Sequence, residues 1–534
     1  MDSTRQSLID EIKKRVQDRI LEQTNADLLI KLITNADSLD EAINIAALGT
    51  TYKRTGLHFD KRLEKMGDEI RYFKKNEKLS FRTDDAKPVN KLIIGDNYQA
   101  LQNLLIQYRG KIDVIYIDPP YGKDSMGEFA KTNYNNAITR DNLLSMLYPR
   151  LVLARQLLSD EGVIFCSIDD KNQAYVKCLF DEIFGEENFV GNLPTIMNLK
   201  GNQDEYGFAG THEETLVYTK VISGCNFSGF DIDEEEENEW LEDEIGFYKK
   251  GANLKSTGVN APREKRPNLF FPIFVDSNGN FSVEGEIPNS VEVYPITDNQ
   301  EMSWRWSKSK FKTESYNVII SNENGKIAIY KKQRPSIGDL PTKKPKSIFY
   351  KPEYSSGNGT SQLKALFKDK IFDNPKPIDL IKDLIKISSN PNSTILDFFA
   401  GSGTTGHAVL DLNKSDGGNR TFILCQLNEK TDANPNGIAY DVTSKRLKRI
   451  MTGECYDGSK DFPWLQNNEP YGGNLDVYEI EEVLNSESTE GKTPFDVIDE
   501  TLYGKEKFQT VKEKIEWVCQ NFEKTQSRIP EEEK

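Results

Sequence analysis

Histidine and cysteine are scarce in this chain. Three histidines (His58, His212, His407) among 534 residues, and six cysteines with no Cys-x-x-Cys pair, leave no zinc-type spacing, so no metal site is expected. Cys166, Cys178 and Cys425 lie in or beside apolar segments, as expected of buried thiols in a reducing cytoplasm. No apolar run reaches the roughly 18 residues that a membrane span needs. The polar, charged N-terminus shows no signal-peptide pattern. No Gly-x-x-x-x-Gly-Lys-Ser/Thr loop and no helicase motif occurs, which argues against ATP or GTP as ligand. An excess of positive charge is also missing. The 69 basic and 85 acidic residues give a net charge of −16, which taken whole speaks against a nucleic-acid partner.

That balance is uneven. Asp231–Glu244 holds ten acids in fourteen residues, and Lys331–Lys351 holds seven basic residues and one acid. A local basic patch can bind phosphate within an acidic total, whereas the acidic run reads as solvated surface. The hydrophobic content of 37% suffices for real cores, and the length implies three or more parts.

Residues 1–85 read as a helical N-terminal region. Ile9, Ile12, Val16 and Ile20 form one apolar stripe, continued by Leu28, Leu29, Leu32 and Ile33. Residues 86–199 alternate strand and helix, as in half of a doubly wound parallel sheet. Leu92–Ile94, Lys111–Ile117 and Val163–Ile168 read as strands, and Asp141–Leu158 and Gln173–Phe184 as helices. Asp169 and Asp170 read as helix caps. The texture changes over 200–355, where Asn, Gly, Pro, Trp and Lys mark a separate β-rich or mixed domain. Trp304 and Trp306 read as lying on opposite faces of a strand. The α/β texture returns over 356–455, with a strand at Ser393–Phe398, a helix at His407–Leu412, a strand at Arg420–Leu427 and a helix at Thr443–Met451. Residues 456–534 read as acidic and poorly patterned, with a disordered end at Pro530–Lys534.

Two stretches carry chemistry. The first is Ile112–Gly122. Its β-branched apolar run stops at Asp118, and Pro119 and Pro120 force the chain out of the sheet at the strand's C-terminal end, where open α/β sheets bind ligands. Asp118 and the Pro119 carbonyl can accept hydrogen bonds from the exocyclic amino group of a planar ring, and Tyr121 can stack on that ring. Such a site works by positioning and charge placement. The second is Asp397-Phe398-Phe399-Ala400-Gly401-Ser402-Gly403, a strand end leading into a helix, suited to a nucleotide-like cofactor. Gly401-x-Gly403-x-x-Gly406 also matches a dinucleotide fingerprint, and Glu429 could be its downstream acid, so spacing alone leaves NAD open. Asp397, placed to hold an ammonium, and the Asp-Pro-Pro-Tyr strand tip the reading toward an amine substrate.

Together these motifs resemble the S-adenosylmethionine-dependent amino-group DNA methyltransferases. With the catalytic motif first, a variable domain next and the cofactor motif last, the order resembles the β group, largely adenine-N6 enzymes. Gly95-Asp96-Asn97, Ser167–Asp170, Phe184–Phe189, Thr211-His212-Glu213, Arg266–Phe270 and Phe372–Pro377 resemble the modification subunit of type III restriction–modification systems. The resemblance implies a doubly wound, Rossmann-like α/β fold with circularly permuted motif order and an inserted target-recognition domain at 200–355. It implies that Asp118, Pro119, Pro120 and Tyr121 hold the target adenine. It further implies cofactor contacts from Asp397, Phe398, Phe399, Gly401, Gly403, Thr404, Glu429, Lys376, Pro377 and Asp96. Arg263, Arg266, Arg305, Lys343, Lys344 and Lys346 are the candidate DNA contacts. Duplex DNA, a second copy of the chain and a separate restriction subunit are the implied partners. A solitary or type II amino-methyltransferase of adenine N6 or cytosine N4, and a non-catalytic specificity subunit, stay open as alternatives.

Overall fold

The computed structural model describes residues 3–17, 21, 23–48, 69–121, 139–198, 201, 207–231, 239–323, 326–335, 342–484 and 493–522. Ile20, His58, Gly122, the stretch 232–238 of the acidic run and the Pro530–Lys534 end lie outside the described residues. The chain forms two compact units, Met1–Ser228 with Lys346–Lys534, and Gly229–Pro345.

In the first unit, helices α1 (Ser3–Gln17), α2 (Gln23–Asn35) and α3 (Leu39–Leu48) pack around Ile9, Ile12, Ala26, Ile33 and Ala42. Ile9, Ile12, Val16, Leu29 and Ile33 of the sequence's apolar stripe turn inward, whereas Leu28 and Leu32 are exposed. Among the described residues, the unit's main sheet has nine strands: β1 (Glu69–Lys75), β2 (Val89–Ile94), β3 (Ile112–Ile117), β4 (Leu158–Ile168), β5 (Phe189–Ile196), β6 (His212–Thr219), β7 (Thr394–Asp397), β8 (Thr421–Gln426) and β9 (Asn474–Leu484). Their order is β1-β9-β2-β8-β7-β3-β4-β6-β5. The six strands from β9 to β4 are parallel, and β1, β6 and β5 close the two edges in antiparallel pairing.

β3 is apolar on both faces because it is buried on both, as a central parallel strand must be. Its neighbour β7 comes nearly 300 residues later in the chain, with Ile395 opposite Val114 and Leu396 opposite Ile115. The two strands therefore end side by side at the edge where α/β sheets bind ligands. Helices α4 (Asn97–Tyr108), α5 (Thr139–Leu157) and α6 (Asp170–Phe184) share a core with β3 and β4 through Leu101, Leu147, Leu151 and Phe180. Helices α7 (Ile378–Ser388) and α8 (Thr404–Asp416) pack on each other. The expected helix over Thr443–Met451 starts as a π-helical turn, Ala439–Ser444, and continues as α9 (Lys445–Thr452).

Several readings are corrected. The region taken as poorly patterned supplies β9, which pairs with β2 inside the sheet. Its acids Asp476 and Glu479 obscure the strand pattern, and Arg82 and Asn76 hold them. The second unit is narrower than 200–355, because β6 and residues 346–355 belong to the first. Cys178 is exposed on α6.

The second unit has its own core of Leu254, Phe271, Ile273, Trp304, Trp306, Phe311 and Ile329. Trp304 and Trp306 do not face opposite ways. Both are buried and both meet the ring of Phe311 edge-on. The unit's largest sheet joins Leu241–Asp243, Gly246–Asn253, Lys326–Gln333 and Val318–Glu323. Asp243, at the end of the acidic run, is bound by Lys332 and Arg334 and is not simply solvated.

Candidate active site

The site is built on the adjoining ends of β3 and β7. Asp118 follows β3, and the Pro119–Pro120 pair turns the chain away so that Tyr121 folds back over it. The Tyr121 hydroxyl donates to the Asp118 carboxylate. Lys376, contributed by the Pro375–Pro377 segment ahead of α7, reaches the same place. Its Nζ donates to Tyr121 Oη at 3.0 Å, lies 3.3 Å from Asp118 Oδ1 and donates to Glu213 Oε2. Burial pushes the Asp118 carboxyl up, Lys376 pulls it down and Glu213 pushes it up again. Burial pulls the Lys376 ammonium down, but Asp118 and Glu213 together hold it above its ordinary value. Asn172, on α6, fixes the loop from behind by donating to the Tyr121 carbonyl at 2.9 Å.

The second acid is arranged differently. Asp397, the last residue of β7, is buried. It accepts from the Thr405 hydroxyl at 2.5 Å and from the Phe399 amide at 2.9 Å. Among the described residues no cation pairs with it. Burial pushes its carboxyl up to about 7 against those two hydrogen bonds, and nearby Asp118 adds to the rise. The loop beyond it turns through left-handed backbone at Gly401 (φ 52°) and Gly403 (φ 81°). A Cβ would stand 3.2 Å from Phe372 Cζ at Gly401 and 3.3 Å from Thr443 Cγ2 at Gly403, tight contacts that add to the strain a side chain meets at these φ values. The Gly401 amide donates to Gln426 Oε1, and Thr443 Oγ1 donates to the Gly401 carbonyl, which locks the cradle from both sides.

Further cofactor candidates divide into two groups. Glu429 lies past the end of β8, the strand beside β7, and its carboxylate takes no partner among the described residues. Phe399 is half-buried near the loop, whereas Phe398 belongs to the core and Thr404 turns inward to accept from Arg446 at 2.9 Å. Lys376 sits with Asp118 and Tyr121, not against the glycine loop, and Pro377 is buried at the start of α7. Asp96 caps α4 and takes Arg150 Nη2 at 3.2 Å through both oxygens.

The sequence reading missed four side chains that shape this site. Arg150, buried on α5, joins Asp96 and Asn97, and Asn97 donates to the Phe398 carbonyl at 2.7 Å. Glu213 anchors Lys376, and Thr405 supports Asp397. Arg446 is buried behind the glycine loop with no carboxylate partner among the described residues. Burial brings its guanidinium down to about 9, and Ser402, Thr404 and His407 supply its acceptors. Only Glu213 carried a signal, since it belongs to the Thr-His-Glu block.

The candidate DNA contacts show a mixed picture. Arg263 pairs with Glu301 at 2.7 Å and covers the Phe270 ring. Arg266 is exposed and takes no partner among the described residues. Arg305 is exposed and leans on the Lys255 carbonyl, and Lys343, Lys344 and Lys346 are exposed. Asp169 caps α6, and His212 lies 3.4 Å from Glu214.

Comparison with known proteins places this geometry. A family model described as DNA methylase matches residues 112–432, more than half of the chain. Another, described as an uncharacterised conserved protein, matches residues 5–114. The chain is 43% identical to the type III restriction-modification enzyme EcoPI Mod subunit of Escherichia phage P1, over 68% of this chain and 62% of that one. It is 32% identical to the type II methyltransferase M.KpnI of Klebsiella pneumoniae, over 72% of this chain and 92% of that one. It is 30% identical to the type III EcoP15I Mod subunit of Escherichia coli, over 69% and 64% of the two chains. The chain thus spans less than two thirds of the length of these two type III relatives.

Proposed function

Because the chain belongs to the DNA methylase family, we propose that it transfers a methyl group from S-adenosylmethionine to adenine N6 in duplex DNA, as the modification subunit of a type III restriction–modification system. The observation that carries this is the pairing of β3 with β7, which brings the Asp118–Tyr121 loop and the Asp397–Gly403 loop to one sheet edge. The similarity to two Mod subunits supports the type III assignment. The match over 92% of a type II methyltransferase supports a second reading, a type II amino-methyltransferase.

The residues present fit the cofactor. A buried carboxylate without a protein cation suits the ammonium of the methionine part, and an unpartnered acid beyond the neighbouring strand, Glu429, suits the ribose hydroxyls. Gly401 and Gly403 let the backbone come close. When bound, S-adenosylmethionine supplies an electrophilic methyl group on a sulfonium. The protein does the rest by placement. The target adenine must leave the base stack, since its N6 is otherwise paired. The Asp118 carboxylate and the Pro119 carbonyl accept the two amino hydrogens, which raises electron density on N6 and aims its lone pair. The Tyr121 ring holds the base plane. No covalent intermediate is required.

The second unit would read the sequence. Arg266, Arg305, Lys343 and Lys344, and Lys346 of the first unit, suit phosphate positioning more than base reading, and Arg263 must first leave Glu301. A separate restriction subunit and a second copy of this chain are the proposed partners, and the cytoplasm, where DNA is accessible, the proposed location. Among the described residues no helix is long and apolar enough to cross a membrane. The test is transfer of labelled methyl groups to duplex DNA, followed by nucleoside analysis. N6-methyladenine is expected; N4-methylcytosine would refute the adenine assignment, and no transfer would refute the activity.

A further inference from the structure

Lys376 is placed at the Asp118 loop, away from the glycine loop where a cofactor contact was expected. It is buried, and its ammonium is surrounded by three acceptors: Asp118 Oδ1 at 3.3 Å, Tyr121 Oη at 3.0 Å and Glu213 Oε2. Two of these belong to the loop that, on the methyltransferase reading, receives the adenine amino group. An ammonium and an exocyclic amine present the same N–H donors, so they compete for Asp118. Glu213 differs from the other two. It lies near the start of β6, is about a third exposed, and belongs to no part of the loop that would hold the base. Lys376 is also stiffly mounted, between Pro375 and Pro377, so only its side chain is free to change partner.

We propose that Lys376 holds the place of the target's amino group on Asp118, and swings fully onto Glu213 when the base arrives. Lys376 is thus a positioning residue and Glu213 its berth. The lysine stays protonated throughout and no covalent bond changes. Until the base arrives, Lys376 satisfies a half-buried carboxylate that would otherwise stand beside Glu213 with no counter-charge, a costly arrangement. The displaced ammonium remains near enough to oppose the rise of the Asp118 carboxyl and so favours its accepting, ionised form. Among the described residues, the charged and titratable groups facing Asp118 are Lys376, Glu213, Tyr121, Tyr116, Cys166 and Asp397.

The proposal rests on the methyltransferase reading, and its test separates the two. Steady-state methylation of plasmid DNA is measured across pH for the wild-type chain, Glu213→Gln, Lys376→Met and Lys376→Arg, with thermal melting to confirm folding. Glu213→Gln removes the berth. It should raise KM for DNA about tenfold, with kcat within about threefold, because only the fraction of molecules with Lys376 displaced can accept a base. It should also move the acid limb of kcat/KM to lower pH. Lys376→Met removes the counter-ion and should move that limb up by about one unit, as expected for loss of an opposite charge within 4–6 Å. Lys376→Arg should restore it. A wild-type KM and an unmoved acid limb in folded Glu213→Gln would overturn the proposal, whether or not Lys376→Met folds. An inactive wild-type chain would instead refute the methyltransferase reading.

Discussion

Asp118 and Asp397 end neighbouring parallel strands, yet their surroundings differ in kind. Asp118 is met by a lysine and a tyrosine from its own chain. Asp397 is met by a hydroxyl and an amide, and by no cation among the described residues. Both are pushed up by burial, but only Asp118 has a protein charge opposing the push. The difference teaches how two acids at one sheet edge divide their work. On the proposed function, the acid without a cation would take one from the cofactor. The acid with a cation would accept hydrogen bonds from a neutral amine.

The sharpest way to break this division is to delete each acid in turn. Asp118→Ala should lower methyl transfer by about a thousandfold, as for loss of a positioned electrostatic group, while cofactor affinity by calorimetry stays within about threefold. Equal losses of both would merge the two roles. Asp397→Ala should weaken S-adenosylmethionine binding by about a hundredfold, the order expected when a buried charged contact is truncated.

Acidity separates the two acids again. A carboxyl held near 7 in the folded chain and near 4 in the unfolded one binds more protons when folded, so its contribution to stability falls as pH rises from about 4 to about 7. At 1.36 kcal/mol per unit, Asp397 should thus cost on the order of 4 kcal/mol at pH 8 in the cofactor-free chain. Asp397→Asn should be more stable than wild type at pH 8 by denaturant unfolding, and the gain should vanish toward pH 4. The smallest effect concerns the support of Asp397. Thr405→Val removes the 2.5 Å hydrogen bond, and should raise the Asp397 carboxyl further and weaken cofactor binding about tenfold.

Sequence alone exposed both strand ends, because each carries a local signal. β3 is a β-branched apolar run cut by Asp-Pro-Pro, and the loop after β7 is a glycine pair whose positive φ angles admit little else. The apolar stripe of the N-terminal helices was equally plain. What stayed hidden lacks local pattern. β9 carries acids along an inner strand, and their counter-charges come from distant Arg82 and Lys75. Tyr121 and Lys376 meet across 255 residues, and no spacing rule anticipates such a contact. Arg150 sits on a helix whose leucine stripe reads clearly, yet its role depends on Asp96 and Asn97 on another element. Trp304 and Trp306 fall on one side because residues two apart share a face of extended chain, so the opposite-faces expectation had the period wrong.

On the proposed function, Asp397 takes the cofactor's cation while Asp118 is already supplied with one. Calorimetry of S-adenosylmethionine binding near pH 7 in buffers of different ionisation enthalpy tests it directly, by counting protons. With its carboxyl at about 7, Asp397 is near half-protonated, so binding should release about half a proton. That release should disappear in Asp397→Asn and persist in Asp118→Asn. Release that survives Asp397→Asn, or that vanishes only in Asp118→Asn, would contradict the account.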